Sequence, residues 1–194
     1  MPIPMVDLGF AISATDTGAG QTYENMKNVV KHIVNSYGLV SIRYGVILFG
    51  ESATTYIPFS QTFPDEMALL SSLDLPQRLR GEPDLQKALE EAKTMFDQAT
   101  PRPGARKVLA VIVDNDSSNN KSEIKEAAKV LKDDDIQVIP VGVGPNVDDE
   151  ELEVMTGNKK NVIKTDKDGD SSSVGEEVIM KIHEGENSAY AFSK

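Results

Sequence analysis

Short apolar runs alternate along the chain with longer stretches in which apolar residues recur at helical spacing. Residues 5–12 and 107–113 are apolar on both faces, which is typical of central strands in a parallel sheet. Residues 22–37 instead carry apolar side chains three and four positions apart, as an amphipathic helix does. The regular exchange between these two patterns predicts an α/β domain with a mainly parallel sheet.

Six strands and six helices are predicted in all. The other strands are expected at residues 39–49, 53–58, 136–142 and 161–164, and the other helices at residues 65–73, 83–97, 121–133, 148–156 and 174–183. Only Gly50, Glu51 and Ser52 separate the second strand from the third, and so short a link predicts an antiparallel hairpin. The predicted fold is therefore a doubly wound, mostly parallel six-stranded sheet of Rossmann-like type, with one antiparallel edge strand and helices on both faces.

The composition of the chain argues against several classes of function. The chain has 194 residues, no cysteine and a net charge of −11. Such an acidic surface repels phosphate backbones and anionic lipid, which argues against nucleic-acid binding and membrane association. No apolar run reaches the roughly 18–20 residues of a membrane span. Residues 1–184 form the predicted domain, and residues 185–194 a polar tail that is either flexible or an artificial addition.

Three polar loops, at residues 13–21, 80–84 and 114–120, are the places to expect a ligand. In open α/β sheets ligands bind beyond the carboxyl ends of the strands, where the strand order reverses. The sequence offers no phosphate-binding loop and no nucleophile–base pair there. Neither His32 nor His183 has the spacing of a metal ligand or a catalytic triad member, and both are expected on solvated helix faces.

Five sequence blocks occur in a fixed order along nearly the whole chain. They are residues 7–17 (DLGFAISATDT), 42–59 (IRYGVILFGESATTYIPF), 79–92 (LRGEPDLQKALEEA), 107–119 (KVLAVIVDNDSSN) and 136–144 (IQVIPVGVG). In this order they resemble the von Willebrand factor type A (vWA) family. The resemblance implies the predicted doubly wound fold and a metal-ion-dependent adhesion site at the carboxyl ends of the strands.

The metal site implied by this resemblance is degenerate. The family uses an Asp-x-Ser-x-Ser loop, a Thr from a second loop and an Asp from a third. These positions fall on Ser13, Thr15, Thr17, Pro83 and Asp114, so two hydroxyls and one carboxylate match the family's pattern. Pro83 has no side-chain oxygen, and Ser13 is neutral where the family has a carboxylate. Mg²⁺, which prefers octahedral oxygen ligands, is the ion implied, held weakly or not at all.

A second acidic loop has partial cation-binding spacing. Asp166, Asp168 and Asp170, with Glu177 further on, resemble the Ca²⁺ loop of EF-hands, but Ser171 occupies the position that requires glycine. A solvated acidic turn between the last strand and the last helix explains the same residues. Ca²⁺ therefore ranks behind Mg²⁺ as an expected ion.

The resemblance favours a non-enzymatic protein-binding module of an adhesion or extracellular-matrix protein. It implies an extracellular location, a matrix or cell-surface protein as ligand, and flanking domains in the natural protein. The alternative is an acidic structural spacer of a matrix or mineral-associated protein, which would hold Ca²⁺ diffusely over its surface. A third hypothesis is an α/β enzyme. An enzyme of this class needs a nucleophile–base pair or a cofactor-binding loop, and the sequence offers neither.

Overall fold

One six-stranded sheet organises the molecule. The computed structural model describes residues 5–15, 20–74, 79–165 and 170–191, with side chains described except at residues 20, 21 and 186–191. The strands are β1 (Val6–Ser13), β2 (Ile42–Phe49), β3 (Ala53–Ile57), β4 (Arg106–Val113), β5 (Ile136–Val143) and β6 (Ile163–Thr165), in the spatial order β3-β2-β1-β4-β5-β6. The chain winds outward from β1 in both directions, which confirms the predicted doubly wound architecture.

The pairing within the sheet also follows the prediction. β1 lies parallel to both β2 and β4, and β5 lies parallel to β4 and β6. β3 runs antiparallel to β2, with an irregularity between Val46 and Ile47. The three-residue link after Phe49 leaves no room for a crossover helix, so the chain must turn back along the edge.

Helices cover both faces of the sheet. They are α1 (Gly20–Tyr37), α2 (Glu66–Ser72), α3 (Leu85–Asp97), α4 (Lys121–Asp133), α5 (Asp149–Thr156) and α6 (Ser171–Ala191), with a 3₁₀ turn at Lys159–Asn161. Leu8, Phe10 and Ile12 of β1 pack in the core beneath α1, α2 and α6. Ala11 packs on the opposite face, beneath α3, α4 and α5. Strand residues thus alternate between two apolar cores, as a sheet buried on both faces requires.

Several element boundaries differ from the sequence prediction. α1 begins at Gly20, two residues before the predicted start of this helix at residue 22. β2 begins at Ile42 rather than at residue 39, because Gly38 ends α1 with a positive φ of 66° and the chain must first turn toward the sheet. β6 comprises only Ile163–Thr165, since Asn161 belongs to the 3₁₀ turn. Secondary-structure patterns mark element cores better than their ends.

The last helix is longer than the sequence predicts. It spans Ser171–Ala191, whereas residues 174–183 were expected, with a separate tail from residue 185. Its buried side chains are Val174, Val178 and Ile182. Arg106 donates a hydrogen bond to the Ile182 carbonyl at 2.6 Å, and Gly185 lets the helix backbone pass close to Gln137. These tertiary contacts support α6 beyond its amphipathic stretch. The polar composition of the segment after residue 183 does not by itself predict a helix there.

Two arginines surround one buried carboxylate at the amino end of β1. Asp7 is 5% exposed and accepts hydrogen bonds from Arg43 Nε at 2.9 Å and from Arg102 Nε at 2.8 Å. The Arg43 guanidinium also lies 5.3 Å from the centre of the Phe59 ring. This cluster joins β1, β2 and the loop before β4 at the end of the sheet opposite the candidate site.

None of the helices in the described parts of the chain combines the length and the hydropathy that a membrane span requires.

Candidate functional site

Ser13 and Asp114 meet at the carboxyl ends of two neighbouring strands. Ser13 is the last residue of β1, and Asp114 directly follows β4. The Ser13 hydroxyl donates a hydrogen bond to Asp114 Oδ1 at 3.1 Å. Both residues are buried, with Ser13 0% exposed and Asp114 6% exposed. The structure therefore brings together two residues that the sequence resemblance assigned to one site, although 101 positions separate them.

Thr15 belongs to the same loop and is also buried, at 4% exposure. Ala14 fixes the loop on two sides, because its N–H donates to Phe49 O at 2.8 Å and its carbonyl accepts from Leu79 N at 2.6 Å. The Thr15 methyl group lies over Gly50, where a Cβ atom would come within 3.2 Å of it. These contacts hold the backbone on which Thr15 lies, two residues after Ser13.

Pro83 contributes no oxygen through its side chain, as the sequence predicts. It is buried, and its carbonyl accepts hydrogen bonds from Ser118 N at 2.9 Å and from Ser118 Oγ at 3.3 Å. These bonds tie the loop before α3 to the loop after β4. Pro83, which the resemblance aligns with the family's threonine, therefore has a structural role through its carbonyl group.

Asp84, next to Pro83, caps the amino terminus of α3. Its carboxylate accepts a hydrogen bond from Lys87 N at 3.0 Å and pairs with Lys87 Nζ at 3.2 Å. Burial works to raise the pKa of Asp84, but hydrogen bonds from Lys87 and Asn119 outweigh it, so the pKa lies below its usual value. The carboxylate is charged at neutral pH and is committed to the helix terminus.

Some predicted residues lie outside the described part of the chain. Thr17 is the third hydroxyl of the predicted set, and it lies among residues 16–19, which are not described. The EF-hand-like loop is affected in the same way, because residues 166–169 are not described either. The roles proposed for these residues remain predictions from the sequence.

Glu151 is a buried carboxylate at this end of the sheet that the sequence did not single out. It is 6% exposed and accepts hydrogen bonds from Ser117 N at 3.0 Å and from Ser117 Oγ at 2.9 Å. The pKa of Glu151 lies above its usual value, mainly because burial disfavours the charged carboxylate. Hydrogen bonds from Ser117 work against this rise, and the negative charges of Asp148 and Asp116 increase it. In the sequence Glu151 is one of three acidic residues in the first turn of α5, and nothing there distinguishes it from its neighbours.

The two histidines lie away from this site, at the contact between α1 and α6. His32 Nε2 is 2.9 Å from Glu176 Oε1, and His183 Nε2 is 3.3 Å from the Tyr37 hydroxyl. Both therefore connect the same pair of helices. The sequence analysis expected both on solvated helix faces, whereas each contacts a residue of the facing helix.

The predicted ligands at the strand ends fit a tightly held divalent cation poorly. Within the described residues, Asp114 supplies their one carboxylate, and Ser13 and Thr15 are hydroxyl-bearing residues. The other buried carboxylate at this end, that of Glu151, accepts hydrogen bonds from Ser117. Across residues 5–15, 20–74, 79–165 and 170–191, no group of three or more acidic or histidine side chains is placed to hold a metal ion. Mg²⁺ binding in proteins usually draws on one or two carboxylates with several retained waters, so this donor set lies at the weak end of that range.

The sheet order, the hairpin and the positions of these loops agree with one known family. The model of the von Willebrand factor type A domain matches residues 7–177 of the chain. The chain belongs to this family. The resemblance seen in the five sequence blocks is thereby confirmed, and the match covers all six strands except the first residue of β1.

Collagen chains are among the relatives of this vWA domain. The collagen alpha-5(VI) chain of Mus musculus is 26% identical over 171 residues, which cover 84% of this chain and 6% of the relative. The collagen alpha-6(VI) chain of Mus musculus is 24% identical over 185 residues, which cover 93% of this chain and 8% of the relative. The chain thus spans only a small fraction of the length of these relatives.

Solved structures show the same fold at lower identity. Proximal thread matrix protein 1 from the mussel byssus, with a zinc-occupied MIDAS motif, has a TM-score of 0.79 and 20% identity, covering 93% of this chain and 46% of that chain. The manganese-loaded TRAP protein of Plasmodium vivax has a TM-score of 0.73 and 19% identity, covering 88% of this chain and 72% of that chain. Both of these neighbours carry a metal ion.

Proposed function

We propose that this vWA domain is a non-enzymatic protein-binding module of an extracellular-matrix or adhesion protein, and that its metal dependence is weak or lost. The observation that carries the proposal is the hydrogen bond from Ser13 to Asp114 at the strand ends. A hydroxyl of the chain itself contacts the one carboxylate of the predicted ligand set. The metal ligands proposed from the sequence remain Ser13, Thr15, Thr17 and Asp114.

The relatives support the matrix and adhesion part of the proposal. Both relatives described above are collagen chains, and one structural neighbour is named a thread matrix protein. An extracellular location, a matrix or cell-surface protein as partner, and flanking domains are proposed on the same basis.

Isothermal titration of Mg²⁺, Mn²⁺ and Ca²⁺ into the chain tests the metal dependence. We expect weak or no binding at the strand-end site, because a neutral Ser13 and Pro83 replace a carboxylate and a hydroxyl of the family. Asp114→Ala is the control, and it should give the same heats as the native sequence. A micromolar Mg²⁺ isotherm that Asp114→Ala removes would contradict the proposal.

The double variant Ser13→Asp with Pro83→Thr tests the assignment of the site residues. It supplies the two missing ligands, so Mg²⁺ should bind and raise the midpoint of thermal unfolding of the variant. The native sequence should show no such shift. Two adjacent carboxylates without a cation repel each other, so the metal-free variant should be less stable than the native chain. Absence of any Mg²⁺ effect on a folded variant would show that the assignment is wrong.

Solid-phase binding to immobilised matrix proteins distinguishes the binding module from the acidic spacer. A binding module with a lost metal site should bind equally in Mg²⁺ and in EDTA, and Asp114→Ala should bind like the native chain. The spacer hypothesis draws on the net charge of −11. It predicts Ca²⁺-dependent self-association without retention on any immobilised protein.

A further inference from the structure

A groove of about 300 Å³ lies between α3 and α4, on the side of the domain. Each helix lines it with four residues at positions i, i+3, i+4 and i+7, which form one stripe along a helix surface. The lining residues are Gln86, Leu89, Glu90 and Lys93 of α3, and Glu123, Glu126, Ala127 and Val130 of α4. Two parallel stripes of this length follow the helices for about two turns.

The floor of the groove is apolar and partly open to solvent. Leu89 is fully buried beneath it, and Ala127 packs against the core from the α4 side. Val130 is 50% exposed and is one of the few large apolar side chains of the described residues that solvent reaches to this extent. An apolar side chain placed in the groove would remove Val130 from water.

The rim of the groove is acidic. Glu90, Glu123 and Glu126 line it, against Lys93 as the only lining cation. The Lys93 ammonium already pairs with Asp97 at 2.6 Å and with Asp134 at 2.7 Å, so its charge is balanced by carboxylates outside the lining. The other charged lining residues are all glutamates, so the rim is negative. They line the same groove as the exposed Val130.

We infer that the groove between α3 and α4 is a docking surface for a basic amphipathic segment of a partner protein. An apolar side chain of the segment contacts Val130 and Ala127, and its Lys or Arg side chains pair with Glu90 and Glu126. Charge complementarity selects this occupant. A second copy of the chain also carries a net charge of −11, so long-range repulsion opposes its approach.

This inference is independent of the proposed function, because the groove shares no residue with the strand-end site. Binding to the groove should therefore need no metal ion, and it can be tested with EDTA present. A fluorescein-labelled peptide of Leu, Lys and Ala, with one Leu stripe flanked by Lys in helical spacing, serves as probe in EDTA. Asp114→Ala should bind this peptide like the native chain, whatever the outcome of the metal titrations.

Fluorescence anisotropy with matched variants tests the groove. Glu126→Lys should weaken binding of the peptide about tenfold, through lost attraction and new repulsion. Glu177→Lys makes the same change of net charge on the exposed face of α6 and should weaken it by at most about twofold. Val130→Ser should weaken it several-fold without changing net charge, since the apolar contact is lost. Circular dichroism and thermal unfolding verify that each variant is folded.

Four results would overturn the inference. Equal losses in Glu126→Lys and Glu177→Lys would attribute binding to net charge alone. A peptide with Ser in place of every Leu that binds as well would exclude an apolar contact. Sedimentation that shows a dimer abolished by Val130→Ser would make the occupant a second copy of the chain. No measurable binding of the basic peptide to the native chain would show that the groove is not a docking surface of this chemistry.

Discussion

Asp7 illustrates how much a single side chain contributes at the amino end of the sheet. Its carboxylate is 5% exposed and contacts the guanidinium groups of Arg43 and Arg102, which are themselves only partly exposed. A charge so far removed from water is tolerated because two opposite charges and several hydrogen bonds compensate for its lost hydration. The cluster therefore depends on all three side chains together.

Asp7→Asn should lower the free energy of unfolding by about 3 kcal/mol, because it leaves two arginines without their counter-ion in a partly buried position. Urea unfolding at neutral pH measures the change. Asp133→Asn is the matched control, since Asp133 pairs with Lys129 on the exposed surface of α4 and should change stability little. Equal effects of the two substitutions would contradict the structural role of Asp7.

The family pattern predicted some of the buried polar residues at the strand ends but not all of them. Ser13, Asp114 and Pro83 were found by transferring a family pattern onto the sequence, and the structure brings Ser13 and Asp114 into direct contact. Glu151 was not found, because its burial depends on α5 packing against the loop that carries Ser117. Local sequence does not reveal which of several acidic residues in one helical turn is buried.

At the scale of single elements, the amino terminus of α4 has a complete capping box. The Asn120 side chain accepts from Glu123 N at 3.1 Å, and the Glu123 carboxylate accepts from Asn120 N at 3.1 Å. Such a capping box satisfies backbone N–H groups that the first turn leaves without partners. The sequence prediction gave the bounds of this helix correctly, at Lys121–Asp133.

Asn120→Ala should destabilise the domain by about 1 kcal/mol, because the first turn loses its side-chain acceptor. Asn120→Ser retains an acceptor and should stay close to the native stability. Asn120-Lys121-Ser122 has the Asn-x-Ser pattern of N-glycosylation sites. Both substitutions remove this pattern, so a difference between them reports only the cap. Chemical denaturation of protein from a non-glycosylating host measures it. Identical midpoints for Ala and Ser would count against the capping box.

At the scale of the whole molecule, α6 completes one of the two cores. Val174, Val178 and Ile182 are 4%, 0% and 0% exposed, and they pack with residues of α1 and the sheet. Burial of one such side chain contributes about 1.5–3 kcal/mol. Three together approach the whole stability of a typical domain, which is about 5–15 kcal/mol. The fold therefore depends on this helix, and not only on the sheet.

Truncation tests this dependence and the predicted domain boundary together. A chain ending at Asp170 should lose cooperative unfolding, because the core beneath α6 would be exposed to water. A chain ending at Glu184 keeps the three buried side chains and should still unfold cooperatively, at a somewhat lower denaturant concentration. Near-ultraviolet circular dichroism and urea titration measure both. Cooperative unfolding of the shorter chain at the native midpoint would contradict the role assigned to α6.

The order and type of the elements were determined by the sequence alone, together with the antiparallel hairpin and the family. Hydrophobic periodicity reports the local burial of each segment, and the three-residue link after Phe49 restricts the chain to one turn. Only the tertiary structure decided the contact of Ser13 with Asp114, the burial of Glu151, the full length of α6 and the groove between α3 and α4. Each of these depends on segments that are distant in sequence, and only the packing of the sheet and its helices brings them together.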